Sequence, residues 1–115
     1  MRFLANGTVG LVFSKLTGTA TEALIGTEVI VPGLTYTPGT ELQARVRVWG
    51  TGTTQLSATV WAAGTPEPVS PQVTTTDTTA SLQAPGGLAL SAYLYGSATA
   101  PMNVRFTTFG ATSAD

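Results

Sequence analysis

Residues 41–62, ELQARVRVWGTGTTQLSATVWA, alternate apolar and polar positions twice, on either side of Thr51-Gly52-Thr53. In the first arm Leu42, Ala44, Val46 and Val48 fall on one face and Gln43, Arg45, Arg47 and Trp49 on the other. In the second arm Leu56, Ala58, Val60 and Ala62 oppose Gln55, Ser57, Thr59 and Trp61. A period of two with β-branched residues predicts half-buried strands, and the short Gly-containing loop predicts a hairpin. The same pattern predicts the register. Core-facing residues must oppose core-facing residues, so paired numbers sum to an even value. Closing the loop on residues 50–54 sets Trp49 opposite Gln55, Arg47 opposite Ser57, Arg45 opposite Thr59 and Gln43 opposite Trp61. The outer face then carries two tryptophans at its ends with two arginines between them.

The remaining chain reads in the same way. Asn6-Gly7 between Phe3-Leu4 and Val9–Phe13 is a hairpin signal, because both residues tolerate positive φ. Short strands are expected at 22–25 and 28–31, around Gly26. Val31-Pro32-Gly33 and Thr37-Pro38-Gly39 are expected to bracket a loop holding Leu34 and Tyr36. Three prolines in 64–71 (GTPEPVSP) forbid a central strand and predict a connector between sheets. A strand follows at 72–75, then one helical turn over 77–83 with Asp77 as its cap and Pro85-Gly86-Gly87 as its stop. Leu88, Leu90, Ala92 and Leu94 alternate with Ala89, Ser91, Tyr93 and Tyr95, and Val104, Phe106 and Thr108 with Arg105, Thr107 and Phe109. About nine short strands result, with turn signals every ten or so residues. The expected fold is all-β, an antiparallel, jelly-roll-like β-sandwich in which residues 1–115 form a single domain.

Composition narrows the function classes. Net charge is -1, which leaves no electrostatic footprint for nucleic acid. No apolar stretch is long enough to span a bilayer, so no membrane partner is expected, and no signal-peptide h-region follows the first residues. The expected alternatives are action where the protein is made, release by lysis or another signal-less route, or excision of the chain from a longer protein. Only 10% of residues are charged and roughly one in five is Thr. A charge-poor surface is a solubility liability that fits an assembly, where much of it is covered.

The chain has no His and no Cys. The commonest general base, the usual zinc ligands and the thiol nucleophile are therefore missing, and neither a cofactor nor a metal is expected. Six carboxylates remain, Glu22, Glu28, Glu41, Glu67, Asp77 and Asp115. Glu22 and Glu28, on neighbouring expected strands, are the one pair that could face each other as glycoside hydrolysis requires. Charges at strand edges also discourage edge-to-edge pairing, and that is the plainer account of them. An enzyme is not expected.

The candidate binding face comprises Gln43, Arg45, Arg47, Trp49, Gln55 and Trp61. Trp and Arg are enriched in protein interfaces. Sugars also stack on aromatic rings, while Arg and Gln donate to hydroxyls. The structural alternative is that a neighbouring loop or sheet covers one or both tryptophans. Tyr93 and Tyr95 form a secondary aromatic face at strand spacing, a pattern more often found in sheet packing. Phe3, Phe13, Phe106 and Phe109 are expected in or near the core.

The run from residue 28 to 109 resembles the C-terminal half of a concanavalin/laminin-G-like jelly-roll module of actinobacterial secreted proteins and actinobacteriophage virion proteins. The residues that carry the likeness are EVIVPGLTYTPGTELQARVRVWGTG and ATVWAAGTPEPVSPQVTTTDTTASLQAPGGLALSAYLYGSATAPMNVRFTTF. Two positions depart from it. The connector reads Val69-Ser70-Pro71-Gln72 where such modules often place an aromatic before Gln, which weakens transfer of sugar stacking. The last strand reads Arg105-Phe106-Thr107-Thr108-Phe109 where they tend to carry Asp, so any role of those acids is missing. The chain enters near the middle of the larger module, which predicts open strand edges and uncovered apolar surface.

The resemblance and the composition together imply a non-enzymatic phage virion structural protein, a capsid decoration or tail appendage. Its expected partners are a major capsid or tail protein and further copies of itself, as a homo-oligomer in a virion assembled in the host cytoplasm. The alternative is an extracellular carbohydrate-binding module recognising a host-surface or cell-wall glycan.

Overall fold

The Asn6-Gly7 turn builds the first sheet. Leu4 and Gly7 close it, Gly7 N–H donating to Leu4 O at 2.9 Å. Only Gly7 takes the left-handed conformation (φ 82°), whereas Asn6 keeps a negative φ. Instead the Asn6 side-chain oxygen accepts from Thr8 N–H and Thr8 Oγ1, the local bond that makes Asn a turn residue. Strands β1 (Arg2–Phe3) and β2 (Thr8–Lys15) follow from this turn, and β3 (Ala23–Thr35) pairs with β2.

The two short strands expected around Gly26 are one 13-residue strand. Its ladder with β2 slips twice, between Thr8 and Gly10 and between Leu11 and Phe13. Gly26 (φ 80°) and Gly33 (φ 72°) sit at these irregularities. Bulges absorb the residues that the sequence suggested would break the strand, and Pro32 is tolerated where pairing lapses. The loop expected to hold Leu34 is therefore the end of β3, and Tyr36 lies just beyond it.

The second sheet is the expected hairpin, β4 (Leu42–Trp49) with β5 (Thr54–Ala62), extended by β6 (Val73–Asp77). Gly50 has φ 98°, and a Cβ there would stand 2.6 Å from Thr53 O, so the loop requires glycine at that position. After β6 a single 3₁₀ turn spans Ala80–Leu82. Its N-cap is Thr79 and not Asp77. Asp77 ends the strand and accepts from Thr79 N–H and Oγ1.

The computed structural model describes residues 1–18 and 21–114, and Asp115 lies outside them. The fold is all-β, with two three-stranded antiparallel sheets in the orders β1-β2-β3 and β4-β5-β6. That arrangement is sandwich-like: Val9, Leu11 and Val31 of the first sheet share one core with Ala58, Val60 and Val73 of the second. Among the described residues six strands form rather than about nine. Residues 88–95 and 104–109 alternate as strands do, yet none forms there. Alternation records which faces differ in polarity, but a strand also needs a neighbour for its backbone hydrogen bonds.

Residues Met1–Gln83, with Ala114, form one compact unit and Ala84–Ser113 a second. In the second unit Ala98 N–H donates to Tyr95 O at 2.9 Å, and the Ala100–Pro101 peptide is cis. Phe13 packs on the core as expected, but Phe3, Phe106 and Phe109 are exposed. Phe3 meets Tyr36 edge-on with ring centroids 4.7 Å apart. Among the described residues no helix is long and apolar enough to cross a membrane.

Candidate binding face on the second sheet

The observed pairs are Gln43 with Trp61, Arg45 with Thr59, Arg47 with Ser57 and Trp49 with Gln55. Parity together with the closed loop at 50–54 predicts this register. It places the six candidate residues along two neighbouring strands, a tryptophan at each end.

The centre of this face is closed by the proline-rich connector. Arg45 makes a two-pronged ion pair with Glu67, Nε to Oε1 at 2.7 Å and Nη2 to Oε2 at 2.9 Å. Pro68, Val69 and Pro71 border the small hollow that Arg45, Arg47, Ser57 and Thr59 line. Ser57 and Thr59 are buried as a result, although they lie on the face away from the core. Sequence reasoning missed Glu67 as the partner of Arg45, because nothing in the connector's composition says which way it folds.

Gln72 was also missed, and it completes the sheet. The β5–β6 register pairs Ala58 with Val73. Continued by two residues, it would pair Val60 with Pro71, which has no N–H to give. The Gln72 side-chain amide takes that place. Val60 N–H donates to Gln72 Oε1 at 2.7 Å, and Gln72 Nε2 donates to Val60 O at 2.8 Å. The backbone of Gln72 meanwhile donates to Ala58 O at 3.1 Å. The dipeptide Pro71-Gln72 was the available signal: a strand-entry residue without a donor, followed by a side chain that carries both a donor and an acceptor.

Trp49 stands at the open end. The Arg47 guanidinium lies 5.0 Å from its ring centroid, within cation–π range. Trp49 borders an open groove of about 210 Å³ with Gln55, Leu56, Thr74, Thr75 and Thr76. This is below the range of about 300–1,000 Å³ typical of small-molecule pockets. It offers one aromatic ring, a side-chain amide and threonine hydroxyls. Trp61 lies at the other end, so the two tryptophans do not converge. Both are half-buried, and neither is fully covered.

Tyr93 and Tyr95 belong to the second unit and form no sheet face. Their rings meet edge-to-face at 5.9 Å, and both are exposed.

The carboxylates are dispersed. Glu22 and Glu28 do not lie on neighbouring strands. Glu28 is within β3, Glu22 immediately precedes it, and each has its own partner. Ser14 Oγ donates to Glu22, while Arg2 pairs with Glu28 at 2.9 Å. Asp77 is the one buried charged residue among those described. Lys15 of β2 reaches it across the two sheets, Nζ to Oδ1 at 2.8 Å. The Lys15 ammonium, aided by the Thr79 bonds, holds the Asp77 carboxyl below its usual value against the opposing effect of burial. Among the described residues no three His, Cys, Asp or Glu side chains gather in a way that could hold a metal ion.

Compared with protein-family models, with curated proteins and with solved structures, the chain matches none.

Proposed function

We propose that this protein is a non-enzymatic structural component of a phage virion, a capsid decoration or tail appendage on a jelly-roll-like sandwich. It works through interfaces with a major capsid or tail protein and with copies of itself. The observation that carries this reading is the apolar face of β4. Val46 is 60% and Val48 52% exposed, with Ala44 exposed beside them, on a strand whose outer edge is unpaired among the described residues. Water-facing apolar side chains in a row beside free backbone hydrogen-bonding groups mark a surface that another chain covers. The charge-poor composition supports the same reading.

Size-exclusion chromatography with light scattering tests it. The expected result is an oligomer, or a monomer that co-sediments with a capsid or tail shell. A monomer that binds neither would overturn the proposal.

The groove beside Trp49 favours a second reading, an extracellular carbohydrate-binding module. One tryptophan face and the hydroxyls of Thr74 and Thr76 would take a sugar ring, although Arg47 already occupies part of the indole. Retention on cell-wall polysaccharide, abolished in the Trp49→Ala, Trp61→Ala double variant, is the outcome that would move the assignment to this reading.

A further inference from the structure

We propose that the occupant of the β4 edge is a second copy of this chain, which delivers its residues 88–95 as an added strand; the inference rests on the assembly role given above. The argument starts from hydrogen bonds. Ala84–Ser113 forms no strand, and one backbone–backbone bond, Ala98 to Tyr95, lies within it among the described residues. A sequence with strand alternation and so few partners for its amides is poised to pair with something.

The two segments match in length and pattern. β4 spans eight residues and 88–95 the same number. Apolar residues occupy even positions in both: Leu42, Ala44, Val46 and Val48 in one, Leu88, Leu90, Ala92 and Leu94 in the other. Matching apolar faces requires even to oppose even. Centring parallel strands then sets Val46 against Ala92; of the two equally central antiparallel registers, the one that also brings a tyrosine ring opposite Arg45 sets the same pair. Leu90 and Leu94 fall beside Val48 and Ala44, one each, and extend the exposed apolar face.

Charge separates this occupant from the simplest competitor, β4 pairing with itself. The two registers that match apolar faces over most of β4 set Arg45 opposite itself or opposite Arg47, like charge against like. Residues 88–95 carry no charge. In the registers that set Val46 against Ala92 they bring Tyr93 opposite Arg47 (parallel) or Arg45 (antiparallel), a ring against a guanidinium.

Area suffices as well. Tyr93, Tyr95, Phe106 and Phe109 are all more than half exposed. Aromatic side chains bury about 150–250 Å² each. Two arms exchanged reciprocally, counted with the surfaces they cover, pass the roughly 1,200 Å² at which stable specific interfaces begin.

Because the chain lacks cysteine, disulfide trapping reads this arrangement cleanly. Val46→Cys and Ala92→Cys variants, both at exposed positions, are mixed, allowed to exchange and oxidised. The expected product is a mixed disulfide of one chain of each kind, in several-fold greater yield than Arg47→Cys gives with Ala92→Cys. A Val46→Cys disulfide with itself as the main product would overturn the inference in favour of β4 self-pairing. Closure within single chains of the Val46→Cys, Ala92→Cys double variant would overturn it in favour of the chain's own segment. An oligomer with none of these disulfides sinks the strand exchange and leaves the assembly role standing. A monomer that binds no shell and forms no disulfide sinks both.

Discussion

Strands β4 and β5 are partners in one hairpin, written in the same alternating code, and they end in opposite environments. In β5 every residue from Leu56 to Val60 is buried, on both faces; Val60 is 1% exposed. In β4 only Leu42 packs on the core, and Val46, opposite Ala58, is 60% exposed. The difference lies in what stands over each strand. β5 is central to its sheet, with the first sheet over one side and the proline-rich connector over the other. β4 is an edge strand, and its apolar side chains reach past the core. Alternation therefore establishes that a face is suited to burial, while position in the sheet decides whether the chain itself buries it.

The strongest way to break this contrast is to attack the core that β5 helps to form. Leu11→Ala, on the facing sheet, should cost about 2–5 kcal/mol in urea unfolding. A loss below about 1 kcal/mol would mean that the two sheets do not share a tight core. Next comes the Gln72 amide that completes the β5 ladder. Gln72→Leu keeps the bulk but leaves Val60 N–H and C=O unpaired, at about 1–3 kcal/mol for each buried group left without a partner. An unchanged unfolding midpoint would show that the amide bond pair is dispensable.

Asp77→Asn probes the cross-sheet pair and should act through pH. The carboxyl is held below its ordinary value of 3.8, mainly by Lys15, so the folded state resists protonation. Its contribution to stability is complete above that ordinary value and is lost as pH falls through the lowered one. The parent protein should therefore lose stability from about pH 4 downward, and the variant should show a flatter profile across that window. Parallel curves would remove Asp77 from the account.

Smaller effects are expected on the exposed side. Arg45→Ala removes a solvent-facing ion pair of the kind worth about 0–1 kcal/mol. Its sharper readout is accessibility, since release of the connector should raise hydrogen exchange at Ser57 and Thr59. Val46→Ala should change unfolding free energy by no more than about 0.5 kcal/mol. The same change should weaken self-association, measured as a shift of the light-scattering mass toward monomer on dilution. Loss of folding with no change in mass would reverse the assignment of β4 and β5.

The sequence made the central hairpin legible down to individual pairs, because a period of two leaves few registers once the loop is short. It also located the Asn6-Gly7 turn and the residues of the connector, although the connector joins β5 and β6 of one sheet rather than crossing between sheets as expected. It overcounted strands, since Leu88–Leu94 and Val104–Thr108 alternate like β4 while no pattern within a segment reports a neighbour's presence. It split β3 in two because Gly and Pro read as punctuation, whereas here they sit in bulges. Of the candidate face, the residues and their order were legible. The role of Glu67 and the substitution of a side-chain amide for Pro71 were not, because both depend on how the connector folds back in space.

Gln72 leaves the margin of the sheet dependent on a single nitrogen. Hydrolysis of that amide to a carboxylate would replace a donor with an acceptor and turn two oxygens toward each other at Val60 O. The backbone would be intact and the volume almost unchanged, yet the seam beside the connector would repel where it now holds. Every copy of the chain carries that vulnerability at the same seam.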